Sequence, residues 1–176
     1  DYPNLMDATS WQVGTRGNQG DFDSNGGSQD NKILSEETPY GDIEPVWYGY
    51  SSTNDDGSDG GWNWRAISAS EVDRTKTYRY SVWMKSEYDS GSYYHGTQNV
   101  EDSNGNYGSN PYYGSGNLPT TNDWYLVVGY NHAMDASRDR NYSAIYDING
   151  NRVIDLQDYW WEDNDTDFGS QTQSWR

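Results

Sequence analysis

Half of the apolar residues in this sequence are aromatic rings. Nine Trp, 17 Tyr and two Phe make 16% of the chain aromatic, within a hydrophobic share of 32%. So low a hydrophobic share ordinarily marks disorder, but disordered chains are also poor in aromatics. Each ring can bury on the order of 150–250 Å², so a core can be assembled chiefly from rings. The rings recur with β-branched residues in short runs closed by Gly, Asn, Asp or Ser, and helical periodicity is almost absent. A chain built this way is expected to be all-β.

The clearest strand is Tyr78-Arg-Tyr-Ser-Val-Trp-Met-Lys85. Its period-2 alternation puts Tyr78, Tyr80, Val82 and Met84 on one face, expected to be core. Arg79, Ser81, Trp83 and Lys85 fall on the other, which looks like a surface that meets something. Trp124-Tyr-Leu-Val-Val-Gly-Tyr-Asn131 is nearly continuous in apolar character and reads as a central strand buried on both faces. Residues 142–147 and 152–156 flank Asn149-Gly150, a dipeptide suited to a type I′ hairpin turn. Weaker strands are expected near 31–36, 45–51, 62–69, 92–99 and 158–162. The stretches 52–61 and 102–117 read as long polar loops. About nine or ten strands predict an antiparallel β-sandwich of jelly-roll type.

The length suits a single domain, 1–176, with no linker at its middle. The chain opens at Asp1, has no signal peptide and no run of about 18 apolar residues, and reads as a piece of a longer secreted protein. Gln173-Ser-Trp-Arg176 resembles the middle of a strand, so a final strand is expected beyond it.

Acidic residues number 28 against 11 basic, a formal net charge of −17. Phosphate binding needs clustered Lys and Arg, so nucleic acid and anionic membrane surfaces are poor partners. The excess is Asp-heavy and sits in Gly/Asn/Ser loops, which points to calcium ligation, to solubility in high salt, or to both. With no Cys, there is no disulfide framework, no thiolate metal site and no catalytic thiol.

Two segments are candidate calcium loops. In Asp21-Phe-Asp-Ser-Asn-Gly26, Asp21, Asp23 and Asn25 present oxygens at alternate positions before a turn-permitting Gly. It is not an EF-hand, because Lys32 stands where the bidentate Glu would be. The competing reading is a solvated turn. In Glu162-Asp-Asn-Asp-Thr-Asp167, Asp163, Asp165 and Asp167 alternate likewise, and the competing reading is an acidic loop. Asp55, Asp56 and Asp59 form a weaker third cluster.

Sugar rings present flat C–H faces that stack on Trp and Tyr, and their hydroxyls take hydrogen bonds from Arg, Asn, Gln, His and Asp. A sugar site therefore wants aromatic platforms beside polar side chains. The candidates are Trp47, Tyr48, Trp62, Trp64, Arg65, Arg79, Trp83, Tyr93, Tyr94 and His95, with Tyr112 and Tyr113 as an exposed pair overhanging a groove. Against each stands its use as core, since aliphatics are few. The two histidines, His95 and His132, lie in different segments, and no nucleophile elbow, zinc-protease motif or phosphate loop occurs. A polysaccharide lyase built on Tyr93 or Tyr94, His95 and Arg79 stays open as a lesser alternative, as do paired carboxylates for glycoside hydrolysis.

Several phrases carry a resemblance: Asp7-Ala-Thr-Ser-Trp11, Gly60-Gly-Trp-Asn63, Tyr78 to Lys85, Gly91-Ser-Tyr-Tyr94, Asn110-Pro-Tyr-Tyr113, Leu118-Pro119, Trp124-Tyr-Leu-Val-Val-Gly-Tyr130 and Ile145-Tyr-Asp147. Together they resemble a jelly-roll, carbohydrate-binding-module-like domain of secreted, often marine, bacterial polysaccharide-degrading and surface proteins. The likeness runs over most of the chain. It implies a sandwich with an accessory, non-catalytic role: holding polysaccharide, for instance algal, for a tethered catalytic or adhesin domain, with calcium bracing the loops. The alternatives are a structural or adhesive β-module without a sugar site, and a small lyase or hydrolase. The net charge favours neutral or mildly charged glycans, while Arg65, Arg79 and Lys85 leave uronates open.

Overall fold

The computed structural model describes residues 4–50, 60–64, 72–89 and 92–162, and the backbone of 170–174. Its strands, in chain order, are β1 (Phe22–Ser24), β2 (Asn31–Glu37), β3 (Ile43–Gly49), β4 (Gly60–Trp64), β5 (Tyr78–Met84), β6 (Ser92–Thr97), β7 (Val100–Glu101), β8 (Tyr107–Gly108), β9 (Tyr112–Asn117), β10 (Tyr125–His132), β11 (Ala144–Tyr146), β12 (Arg152–Asp155), β13 (Tyr159–Trp161) and β14 (Ser170–Ser174). One 3-10 turn, Ser28–Asp30, is the only helical element among the described residues.

These strands form an all-β sandwich. One sheet runs β1-β4-β14-β6-β9; the other runs β12-β11-β10-β13-β7-β8, with β5 paired to β10; β2 and β3 make a separate hairpin. Every pairing is antiparallel except β10 with β13.

The core between the sheets is made of rings, as the composition requires. Phe22, Trp62, Trp64, Tyr80, Tyr113, Tyr159 and Trp161 form one buried cluster with Val100. A second gathers Tyr93, Leu118, Tyr125, Val127 and Ile145. The predicted faces of β5 hold: Tyr80 is buried and Tyr78, Val82 and Met84 pack against the clusters, while Arg79 and Ser81 are exposed. Strand β10 is buried almost throughout. Its Gly129 admits Tyr113 from the opposite sheet, because a Cβ there would lie 2.2 Å from the Tyr113 ring.

Rings bring polar atoms with them, and buried polar atoms need partners. The Tyr113 hydroxyl donates to Asn131 Oδ1 at 2.7 Å, and Asn131 Nδ2 donates to Thr97 Oγ1 at 2.8 Å. Tyr113 and Thr97 come from one sheet and Asn131 from the other, so this chain of bonds joins the two. His132 Nε2 meets Asp158 Oδ2 at 2.6 Å, and Asp158 also accepts the backbone N–H groups of Tyr142 and Ser143.

Two local expectations are corrected. The hairpin β11–β12 is present, but its turn is not type I′. Only Gly150 has positive φ, at 83°, and Asn149 does not. Asp147 closes the loop instead, accepting from the backbone of Asn149 and Asn151 and from the Asn151 amide. Asp102 makes the same set of bonds with Asn104 and Asn106. Residues 102–117, expected to be a loop, hold that second Asp-x-Asn-Gly-Asn turn and the strands β8 and β9. The strand β9, Tyr-Tyr-Gly-Ser-Gly-Asn, lacks the alternation that would announce it, because glycines stand where apolar side chains would.

Candidate functional site

Strand β5 is hydrogen-bonded to β10 alone among the described strands, so its other edge is open. The hairpin β2–β3 packs beside that edge. Between them lies a cleft of about 320 Å³ whose lining is rich in rings. Trp47 and Tyr48 of β3, Trp83 of β5, Trp124 just before β10 and Tyr40 at the hairpin tip form its walls, and the buried Trp62 reaches its floor. Glu36, Lys85 and Glu87 supply charge at its rim.

Each wall ring is held in place by a polar contact. Trp83 Nε1 donates to the Tyr40 hydroxyl at 3.0 Å, with the rings edge to face at 6.0 Å. Trp124 Nε1 donates to the Glu37 carbonyl at 3.0 Å. The Tyr48 hydroxyl donates to Glu87 Oε2 at 2.8 Å. Lys85 Nζ pairs with Glu36 and sits 5.1 Å from the Trp124 ring centre. All four contacts run from the hairpin, or the strand ends, across to the opposing wall. An indole whose N–H is already engaged leaves its face for a ligand.

Trp47 is set by Asn31, which is fully buried. Asn31 Oδ1 accepts from Trp47 Nε1 at 2.8 Å and from the Gly61 N–H at 2.7 Å. Its Nδ2 donates to the carbonyls of Asn25 and Gly27. One amide thereby joins the hairpin, β4 and the 25–27 loop, using its full donor and acceptor capacity.

The structure sorts the sequence candidates. It brings Trp47, Tyr48, Trp62 and Trp83 together at the cleft, with Tyr93. Trp64, His95 and Tyr113 are core residues, each 1% exposed. Tyr113, expected to overhang a groove, packs instead against Tyr80, His95 and Tyr159. Tyr94 and Tyr112 pair with each other at 4.9 Å on the other sheet, away from the cleft. Arg79 is exposed on β5 but does not line the cleft. Arg65 lies outside the described residues. Alternation could not reveal Tyr40, Tyr88 and Trp124, which reach the cleft from a turn, a loop and a strand approach.

The lyase constellation is not assembled. His95 is buried between the sheets, where desolvation lowers its pKa to about 4 despite a hydrogen bond to the Tyr80 backbone. Burial pushes the Tyr93 phenol up to about 12, the wrong direction for a base. Arg79 is on the outward face of β5.

In the first candidate calcium loop, Asp23 Oδ1 accepts from Asn18 Nδ2 at 3.0 Å, and Asn18 Oδ1 accepts from the Ser24 N–H and hydroxyl. Asp21 is exposed. Among the described residues no three acidic or histidine side chains converge as a metal group. Asp55, Asp56, Asp59, Asp163, Asp165 and Asp167 lie outside the described residues. No described helix is long and apolar enough to cross a membrane.

No protein-family model, curated protein or solved structure matches this chain.

Proposed function

We propose that this chain is a non-catalytic module that binds polysaccharide in the cleft between the β2–β3 hairpin and the open edge of β5, in the manner of a jelly-roll carbohydrate-binding module. The observation that carries the reading is the gathering of Trp47, Tyr48, Trp83, Trp124 and Tyr40 around one cleft whose rim holds Glu36, Lys85 and Glu87. Flat rings suit the C–H faces of pyranoses, and the rim charges suit their hydroxyls through charge-assisted hydrogen bonds. Binding at one such cleft is weak, and its use lies in tethering: a secreted catalytic or adhesin neighbour in the same chain is held at high local concentration on the substrate. Calcium bracing at Asp21, Asp23 and Asn25, and at Asp163, Asp165 and Asp167, belongs to the same proposal.

Affinity gels containing agarose, alginate, carrageenan, laminarin, xylan or a soluble cellulose test it, run with and without EDTA. Retardation on one polymer without release of reducing or unsaturated ends supports the module, and its loss with EDTA implicates calcium. A folded protein that no polymer retards supports the structural or adhesive alternative. Product release would make the chain an enzyme.

A further inference from the structure

Resting on the glycan reading of the cleft, we infer that its ligand is an uncharged polysaccharide and that Glu36 and Glu87 exclude polyanionic chains. Lys85 is the one cationic side chain among the described residues that line the cleft. Its charge is already answered by Glu36, and its Nζ rests near the Trp124 ring. Glu87 adds a second carboxylate, accepting the Tyr48 hydroxyl. The described lining thus carries two negative charges and one positive, on a chain of net charge −17.

The other described cations that could welcome a uronate or sulfate do not line the cleft. Arg79 shares the Trp83 face of β5 but lies four residues along it, roughly 13 Å at the usual strand rise. Lys32 precedes Leu34 and Glu36 on their face of β2, yet does not line the cleft. An anionic sugar stacked on Trp83 or Trp124 would meet two carboxylates with no uncommitted cation beside them among the described lining residues, and like charges brought together are unfavourable. A neutral sugar meets the same groups as acceptors and as an ammonium donor for its hydroxyls, so a single arrangement both binds hydroxyls and rejects anions.

The test uses the whole chain on affinity gels at low and at moderate salt. Laminarin, xylan, agarose and hydroxyethylcellulose serve as neutral polymers, and alginate and carrageenan as polyanions. The wild type is expected to be retarded by at least one neutral polymer, nearly independently of salt, and by neither polyanion. The double variant Glu36→Gln, Glu87→Gln, whose fold a thermal melt checks, leaves Lys85 unopposed and is expected to bind a polyanion about tenfold or more tightly than the wild type does. Salt-sensitive retardation of the wild type by alginate or carrageenan, abolished by Trp83→Ala, overturns the charge inference while leaving the cleft in place. A double variant that gains no polyanion binding overturns the role given to the two glutamates. Retardation of the wild type by nothing overturns both this inference and the glycan reading beneath it.

Discussion

Trp83 and Tyr40 stand 43 positions apart in the chain, and the indole Nε1 of one donates to the phenol oxygen of the other at 3.0 Å. Tyr40 is otherwise 75% exposed, so this bond and the edge-to-face ring contact give a solvent-facing tyrosine a fixed orientation. The consequence is a cleft wall built on the Trp83 indole, joined across the gap by the Glu36–Lys85 pair and the Tyr48–Glu87 hydrogen bond. Among the described residues the hairpin and the edge of β5 share no backbone ladder, and these side-chain contacts tie one to the other.

Trp83→Ala and Trp47→Ala are expected to weaken polysaccharide binding by about tenfold or more each, the scale of aromatic anchors at the centre of a site. Tyr40→Phe keeps the ring and loses only the bond to Trp83, so its effect should be smaller. Arg79→Ala and Tyr94→Ala, which lie away from the cleft, should leave binding unchanged. Isothermal titration with the polymer that retards the wild type ranks these variants. Equal losses at Trp83 and Tyr94 would place the site elsewhere.

Asn31→Ala is expected to be costly for stability as well as for binding. It strands the Trp47 indole N–H, the Gly61 amide and two loop carbonyls at a fully buried position. Each orphaned buried group typically costs about 1–3 kcal/mol. Partial relaxation and entry of water should hold the total to roughly 2–5 kcal/mol. Urea unfolding measures it, and a loss under about 1 kcal/mol would mean that the hairpin is anchored by other contacts.

The fold was more legible in the sequence than the site. Alternation in Tyr78 to Met84 assigned both faces of β5, and the continuous apolar run marked β10 as central, because in each case burial is written into consecutive residues. The turns at Asp102 and Asp147 escaped because their geometry comes from a carboxylate gathering three N–H donors, a device that the Asn-Gly dipeptide conceals. Ring spacing offered Trp47, Tyr48, Trp62 and Trp83, which line the cleft. It also offered Trp64, His95 and Tyr113, since a ring on a strand carries the same signal whether it faces its own core or a ligand. Trp124 read as the start of a buried strand, whereas its indole turns back to the Glu37 carbonyl. That contact depends on how the hairpin docks, which no local pattern records.

Asp158 ties three elements together, taking hydrogen bonds from His132, Tyr142 and Ser143. Burial raises its pKa, but those bonds outweigh burial and hold it below the usual carboxylate value. Its contribution is therefore present above about pH 4 and is lost as pH falls through the lower folded value. Asp158→Ala leaves the His132 ring and two N–H groups without their acceptor at a buried site. A loss of roughly 2–5 kcal/mol is expected, read as a lower urea midpoint at neutral pH with an unchanged slope. A midpoint within error of the wild type would show that the dyad is dispensable.

His95 sets a pH window of its own, above that of the carboxylates. Its pKa falls from 6.5 to about 4 because the ring is desolvated between the sheets. The described groups packed on it, Tyr113 and the Tyr80 strand, are phenols that burial drives above their ordinary pKa, so they stay neutral throughout this range. Between pH 6.5 and 4 the unfolded chain binds a proton that the folded chain refuses, so stability is complete above the upper limit and declines toward the lower one. The difference amounts to about 3 kcal/mol at pH 4. Thermal melts from pH 7.5 to 4 should show a decline that begins near 6.5, well before the aspartates titrate. His95→Gln keeps a donor and acceptor at the site but cannot take the proton, and is expected to flatten the curve above pH 4.5 or so while lowering it slightly overall. A variant that retains the full wild-type slope would assign the acid sensitivity to groups other than this imidazole.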